Sequence, residues 1–302
     1  MTAQSGPTSR LHLAGILLLA VLWGLNWPAV KIALGEIPPW SLRTIGLTGG
    51  ALTLIVAALL RGQRLTVSRS EIVPLLIAGS LTIVGFNILL AFAQLHASTS
   101  RAVIVTFTMP IWTVIFARLF LGEPINRQRL IGIVLGLCGL AALALPLIAA
   151  GEFGIGLVYA LGGGISWAMG TVVIRRWPVA APALTIAAWQ LLTGAACAAV
   201  GMLAVEGLPA LHDLHAATIW AMAYHVVLAL ALAYLLWFAI LPHVPVGVAS
   251  LGTLLVPAIG VLGAMFILAE QPSTTDYLGL ALVTLAALSI LLQARPKTTA
   301  QA

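Results

Sequence analysis

Residues 103–132 read VIVTFTMPIWTVIFARLFLGEPINRQRLIG, and residues 250–279 read SLGTLLVPAIGVLGAMFILAEQPSTTDYLG. At a constant offset of 147, Thr106 aligns with Thr253, Pro110 with Pro257, Glu123 with Glu270 and Gly132 with Gly279. In the first copy the connection after the apolar run carries Arg127 and Arg129. In the second it carries Asp276 and no cation. Positive charge marks the cytoplasmic side of a membrane protein. The two connections are therefore expected on opposite faces of a bilayer, with the two halves of the chain inverted. Inverted repeats of this kind are the usual architecture of secondary transporters.

Composition supports the membrane reading. The chain has 302 residues, 61% of them hydrophobic and 7% charged, with a mean hydropathy of +1.11. A soluble chain carries about 25% charged residues. The excess of 14 Lys and Arg over 8 Asp and Glu fits cytoplasmic loops at a membrane surface. No basic run with interleaved aromatics points to a nucleic-acid partner. The apolar run from Leu11 is too long for a signal peptide and lacks a small-residue cleavage site. It is expected to be a retained first helix. Cys138 and Cys197 lie in apolar runs and read as two small core residues. Neither belongs to a CxxC pair or a metal spacing, so no metal or cofactor is expected.

A bilayer core takes about 20 apolar residues in a helix. Ten such segments are expected: 12–34, 39–60, 71–94, 98–120, 129–149, 153–174, 182–205, 216–240, 247–268 and 275–293. With the N-terminus cytoplasmic, Arg10, Arg61, Arg64, Arg69, Arg118, Arg127, Arg129, Arg175, Arg176, Arg295 and Lys297 fall inside. Only Lys31, Arg43 and Arg101 fall outside, together with Glu36, Glu152, Glu206, Asp213, Glu270 and Asp276. Both termini are then cytoplasmic, as an even number of spans requires.

The duplication reaches past the opening pair. Trp23 and Lys31 align with Trp167 and Arg175 at an offset of 144. Thr48, Gly49 and Gly62 align with Thr193, Gly194 and Gly207 at 145, and Phe92 aligns with Phe238. Five spans per repeat is an odd number, so the second repeat enters from the other side. The expected division is a tail at 1–10, a first repeat at 11–149, a second at 150–293 and a tail at 294–302. The expected fold class is an all-α integral membrane protein, ten transmembrane helices in two inverted five-helix repeats around a central cavity.

Chemistry in such a chain must sit inside the bundle. Trp23, Asn26 and Trp27 share one face of the first helix, and Pro28 frees the carbonyl of Gly24. Pro28 bends the first helix, and the fourth and ninth helices share Thr-x-x-x-Pro, so Pro28, Pro110, Thr253 and Pro257 are candidate hinge positions. Packing of a pseudo-twofold core is an equal reading of the last three. Asn87, Trp167 and Tyr234 and Trp237 on the eighth helix add polar and aromatic groups within spans. No Asp or Glu lies in the middle of any segment, so a carboxylate proton relay is not expected. His225 is the one titratable side chain clearly inside a span. It can relay protons, although a hydrogen-bonded structural histidine is the simpler reading. Lys31, Arg43 and Arg101 are expected to snorkel near the outer ends. No HExxH, P-loop or GxSxG signature is present, and an enzyme is not expected.

The stretches WGLNWPAVKIAL, MPIWTVIFARLFLGEP and VPAIGVLGAMFILAEQP resemble the drug/metabolite transporter superfamily, in its ten-helix EamA-type form. The resemblance covers nearly the whole chain. It implies a central cavity lined by helices one, three, four, six, eight and nine, with five and ten peripheral. The matching cavity positions are Trp23, Asn26, Trp27, Asn87, Trp112, Trp167, Tyr234 and Trp237, and Thr106 joins them as a polar wall. The family includes exporters of amino acids and related metabolites in bacterial inner membranes. The small four-helix multidrug relatives use a first-helix glutamate, which this chain lacks. The expectation is an inner-membrane carrier of a small amphipathic metabolite, with an amino acid or derivative favoured and export the favoured direction, working by alternating access. A drug exporter and a non-transporting structural or lipid-handling protein are the alternatives. The expected partners are a small-molecule substrate and the lipid bilayer, and the oligomeric state is left open.

Overall fold

The computed structural model describes residues 10–209, 211–240 and 246–291; within these, the side chains of 10, 238–239, 246–253 and 291 lie outside the description. The terminal tails, with Arg295 and Lys297, are outside it as well. The described residues form ten helices. These are α1 (Arg10–Ala33), α2 (Pro39–Leu60), α3 (Arg69–His96), α4 (Thr99–Leu121), α5 (Arg127–Ala149), α6 (Ile155–Arg176) and α7 (Ala183–Glu206). Then come α8 (Ala216–Ala223, Tyr224–Leu232 and Ala233–Ile240), α9 (Val246–Ile267) and α10 (Thr274–Leu291). Eight of them are long and apolar enough to cross a membrane. Shorter apolar stretches at Leu254–Ile267 and Thr274–Ile290 fall in α9 and α10. All eight acidic residues lie at helix ends or in connections. The chain is a multi-pass membrane protein.

The packing pattern maps onto itself when each helix is exchanged with the one five places along. α1 packs on α9 as α6 packs on α4, and α2 packs on α8 as α7 packs on α3. The pairs α2–α7, α4–α9 and α5–α10 map onto themselves. Cys138 and Cys197 are exposed on the outside of the bundle, so the expectation that they are core residues is corrected. In an apolar solvent a cysteine gains nothing by facing inward.

Polar contacts sort the connections into two ends. At the acidic end, Glu206 accepts from Trp40 N (2.9 Å), Ser41 N (2.8 Å) and Ser41 Oγ (2.7 Å). Glu270 does the same at α4, accepting from Thr99 N (2.6 Å), Ser100 N (2.9 Å) and Ser100 Oγ (2.7 Å). Each carboxylate satisfies orphan N–H groups of a helix start and complements its dipole. Arg101 donates to Asp276 at 3.0 Å, and Glu36 accepts from His215 N at 3.0 Å and pairs with its ring. At the basic end, Glu123 pairs with Arg129 (3.1 Å) and Arg175 (2.8 Å). Glu71 accepts from Ala180 N at 2.9 Å. The last residues of α1 therefore sit at the acidic end and those of α6 at the basic end.

The Glu36–His215 pair lies outside the spans and titrates. The hydrogen bond from His215 is the main cause that lowers the Glu36 pKa, and the same bond raises that of His215. The Glu36 contribution is present above its ordinary value of 4.5 and fades as pH falls through its lowered value. The His215 contribution is complete below its ordinary value of 6.5 and is lost as pH rises through its raised value. The melting temperature of purified wild type minus that of His215→Gln, followed against pH in detergent, should peak between those values and vanish in alkaline buffer. A difference independent of pH would show that the pair carries no linkage.

Candidate functional site

Three helices carry irregular π-helical turns: α3 at Ser80–Gly85, α7 at Met202–Glu206 and α8 at Tyr224–Leu232. Those in α3 and α8 occupy equivalent places in the two halves. A wider turn presents backbone carbonyls sideways, and such turns recur at functional sites. Each is used by the helix beside it. Ser166 Oγ on α6 donates to Leu81 O at 2.8 Å, and Trp23 Nε1 on α1 donates to Ala229 O at 3.2 Å.

Around Trp23 the structure gathers an aromatic cluster. Its ring centroid lies 5.9 Å from that of Tyr234, edge-on, and 5.8 Å from that of Trp237. One turn along α1, Asn26 Oδ1 accepts from His225 Nδ1 at 2.8 Å. That bond fixes the proton on Nδ1 and leaves Nε2 as an acceptor. Among the described residues Nε2 has no partner, and the ring is 1% exposed. It fits because α2 presents Gly46 to it; a Cβ there would sit 2.5 Å from Nε2. Arg43 lies one turn before Gly46 on the same face of α2 and within electrostatic reach of His225. It is 3% exposed, and its Nε has no hydrogen-bond partner among the described residues. The expectation that Arg43 snorkels is therefore corrected: it starts only five residues into α2, and its side chain turns into the packing between α2 and α8.

The remaining positions singled out in the sequence fall elsewhere. Trp27 packs on Phe107 with centroids 6.3 Å apart, and its carbonyl accepts from Gln94 Nε2 at 2.9 Å. Thr106 is fully buried and donates to Ala160 O at 3.3 Å. Its own carbonyl lies where a Cβ on Gly164 would come within 2.8 Å. Trp112 donates to Thr108 Oγ at 3.2 Å, and Asn87 donates to Ile83 O of its own helix at 2.9 Å. The Trp167 indole has no hydrogen-bond or ring partner among the described residues. Asn26 thus meets His225, and Trp23, one turn away on α1, meets Tyr234 and Trp237 farther along α8, while Trp27, Thr106 and Trp112 belong to another group around α4.

The proline positions also differ. α4 is interrupted at Phe107–Thr108, two residues before Pro110. α1 and α9 run unbroken through Pro28 and Pro257. The break is supported by Thr108, whose hydroxyl donates to Val105 O at 2.7 Å and accepts from Trp112. The residues at the same places in α9 are Leu255 and Ile259, which offer no such support. The side chain of Thr253 lies outside the described residues. Sequence reasoning missed Arg43 and the π turns. Arg43 was legible in principle, since Arg43, Gly46 and Gly50 are spaced i, i+3, i+7 and put a cation on the small-residue face. The π turns of α3 and α7 are bracketed by Gly79 and Gly85 and by Gly201 and Gly207, but the turn of α8 has no such bracket, so glycine spacing alone did not mark them.

Residues 11–145 match the EamA-like transporter family, and residues 154–292 match it a second time. The chain belongs to that family. The transporter YvbV of Bacillus subtilis, described as uncharacterized, is 28% identical over 283 residues, covering 92% of this chain and 90% of its own. The uncharacterized inner membrane transporter YedA of Escherichia coli K12 is 28% identical over 65% of this chain and 63% of its own. A protein of Salmonella typhimurium named a probable amino-acid metabolite efflux pump is 24% identical over 88% and 90%. A solved crystal structure at 23% identity superposes with a TM-score of 0.66, covering 95% of this chain and 99% of that one. It shows the same fold. This EamA-family chain is a membrane transporter.

The Asn26–His225 bond gives a direct check. Asn26→Leu leaves His225 Nδ1 without its buried partner and should lower thermal stability by about 1–3 kcal/mol. Adding His225→Phe should recover part of that loss in a double-mutant cycle, read by thermal unfolding in detergent. Additive losses would mean that the two side chains do not interact.

Proposed function

We propose that this transporter exports small amphipathic metabolites, amino acids or their derivatives, across a bacterial inner membrane by alternating access. The observation that carries the reading is the one-sided layer between α1, α2 and α8. Along α1 and α8 an aromatic cluster is followed, toward the acidic end, by an amide, an imidazole and a guanidinium. The equivalents of Asn26, Arg43 and His225 in the other half are Gly170, Ala188 and Gly79. The scaffold is duplicated, but this chemistry is not. The name of the Salmonella typhimurium relative supports a metabolite cargo and outward direction. The inner-membrane description of YedA supports the location.

In this reading the acidic end faces the periplasm, and both termini lie in the cytoplasm. The two halves are inverted repeats dividing near residue 150. Trp23, Tyr234 and Trp237 hold the apolar part of the cargo, and Asn26 with freed carbonyls takes its polar part. The interruption at Phe107–Thr108 supplies one bending point. With no carboxylate inside the spans, uniport or exchange fits better than proton antiport through an embedded acid.

Inside-out vesicles or proteoliposomes loaded by the purified protein should accumulate labelled phenylalanine or leucine above protein-free controls. Trp23→Ala removes a large buried aromatic surface and should reduce that rate roughly tenfold at equal expression. Full activity in Trp23→Ala would remove the aromatic layer from the pathway. No transport of any amino acid or derivative in a broad panel would overturn the cargo class.

A further inference from the structure

We propose that Arg43 is the carboxylate-binding residue of a buried subsite completed by His225 and Asn26. This rests on the transport reading above and adds which end of the cargo is gripped, by what, and where. Three cations sit toward the acidic end of the bundle. Lys31 donates to Gln94 O and lies within electrostatic reach of Glu270. Arg101 pairs with Asp276. Arg43 is buried more deeply than either, is in none of the salt bridges among the described residues, and its Nε has no hydrogen-bond partner there.

A guanidinium stays charged in a protein. A buried charge without a counter-ion is strongly unfavourable, and inside a membrane such a residue marks a substrate or ion pathway. The fold does not require this cost. At the same place in the second repeat stands Ala188, and α7 packs on α3 there as α2 packs on α8. Arg43 Nε and His225 Nε2 are two of only four buried side-chain atoms without a hydrogen-bond partner among the described residues. Both lie on the face that α2 and α8 share. Two independent orphans in one layer point to a ligand that serves both.

Their chemistry selects that ligand. The guanidinium fork matches a carboxylate through two parallel N–H donors. A single cation suits a monoanion and leaves a phosphate dianion half-neutralised. His225 Nε2, an acceptor, takes an N–H or O–H on the carbon next to the carboxylate. Farther along α1 and α8, toward the basic end, Trp23, Tyr234 and Trp237 offer a wall for an apolar body. No acid lies in the spans to demand a cationic ligand. The ligand class is an apolar α-amino or α-hydroxy monocarboxylate.

The test is competition binding to purified wild type with radiolabelled L-phenylalanine, using L-phenyllactate and L-phenylalaninamide as competitors. Phenyllactate should compete about as well as phenylalanine. The amide, which lacks the anion, should compete roughly ten- to a hundredfold more weakly. Arg43→Met should abolish phenylalanine binding, while its melting temperature without ligand equals or exceeds that of wild type because an unpaired charge is gone. Arg43→Lys keeps the charge but loses the fork and should retain weakened binding. Three results overturn the proposal: equal competition by acid and amide, unchanged phenylalanine binding in Arg43→Met, or no binding of either acid by wild type. A melting temperature of Arg43→Met far below that of wild type also overturns it, since the guanidinium would then be structural. Proteoliposome transport separates the two levels. Transport that is indifferent to Arg43→Met removes this subsite and leaves a working carrier, whereas a wild type that moves no solute removes the carrier reading itself.

Discussion

In a bilayer, a buried polar group must find its partner inside the protein, because lipid supplies none. That constraint organises this bundle. The chain places all eight acids at helix ends or connections, and at the acidic end Glu206 and Glu270 are used as clamps on helix starts. Glu206 reaches from the end of α7 onto the start of α2, and Glu270 from the connection after α9 onto the start of α4. The carboxylate and the N–H groups satisfy one another, and two halves of the molecule are joined in the same act. Side-chain hydroxyls follow the same rule, donating back to carbonyls one turn earlier, as Thr44, Thr53 and Thr171 do.

Where the rule is kept in an unusual way, backbone geometry changes. The π turns of α3 and α8 expose carbonyls that ordinary helices hide, and Ser166 and Trp23 occupy them from the equivalent neighbours α6 and α1. The polar atoms differ, a hydroxyl in one half and an indole in the other, but the device is shared. Duplication therefore conserves the backbone irregularity more faithfully than the residue that exploits it. The interruption of α4 shows the reverse case. Pro110 and Pro257 are shared, but only α4 has Thr108 and Trp112 to satisfy a broken turn. A proline creates the opportunity for a break, and the residues beside it decide whether the helix takes it.

This explains what was legible in the sequence. Ten spans follow from runs of apolar residues whose length is set by the bilayer. The duplication was visible because Thr106, Pro110, Glu123 and Gly132 reappear at one offset. The contact between Trp23, Tyr234 and Trp237 was partly legible, since each is an aromatic placed deep in a span. The pairing of Asn26 with His225 was not, because nothing local links α1 to α8 across 199 positions. Arg43 was misjudged from its nearness to the start of α2. Depth along a helix sets how far a cation is from water, but the face it occupies sets whether it can reach that water. Asn87 and Trp112, chosen for polarity, satisfy themselves within their own helices.

The asymmetry of the buried chemistry bears on how such a carrier would move. At the acidic end the ties are carboxylates on helix starts, and released partners there would be rehydrated at once. Bonds of that kind exchange for water at small net cost, so they can hold one arrangement without locking it. Arg43 and His225 cannot be rehydrated cheaply, because they lie deeper and in a packed layer. A cargo that satisfies them would lower the energy of whichever arrangement encloses it, by more than the clamps oppose. A ligand shifts a two-state equilibrium only by its differential affinity for the two states. Unpartnered groups in the interior create that difference, since they are costly when the site is closed and empty and satisfied when it is closed and full. On the proposed reading, the expense of burying the guanidinium would be the source of coupling between cargo and movement, and an Ala in its place, as in the other repeat, would supply none.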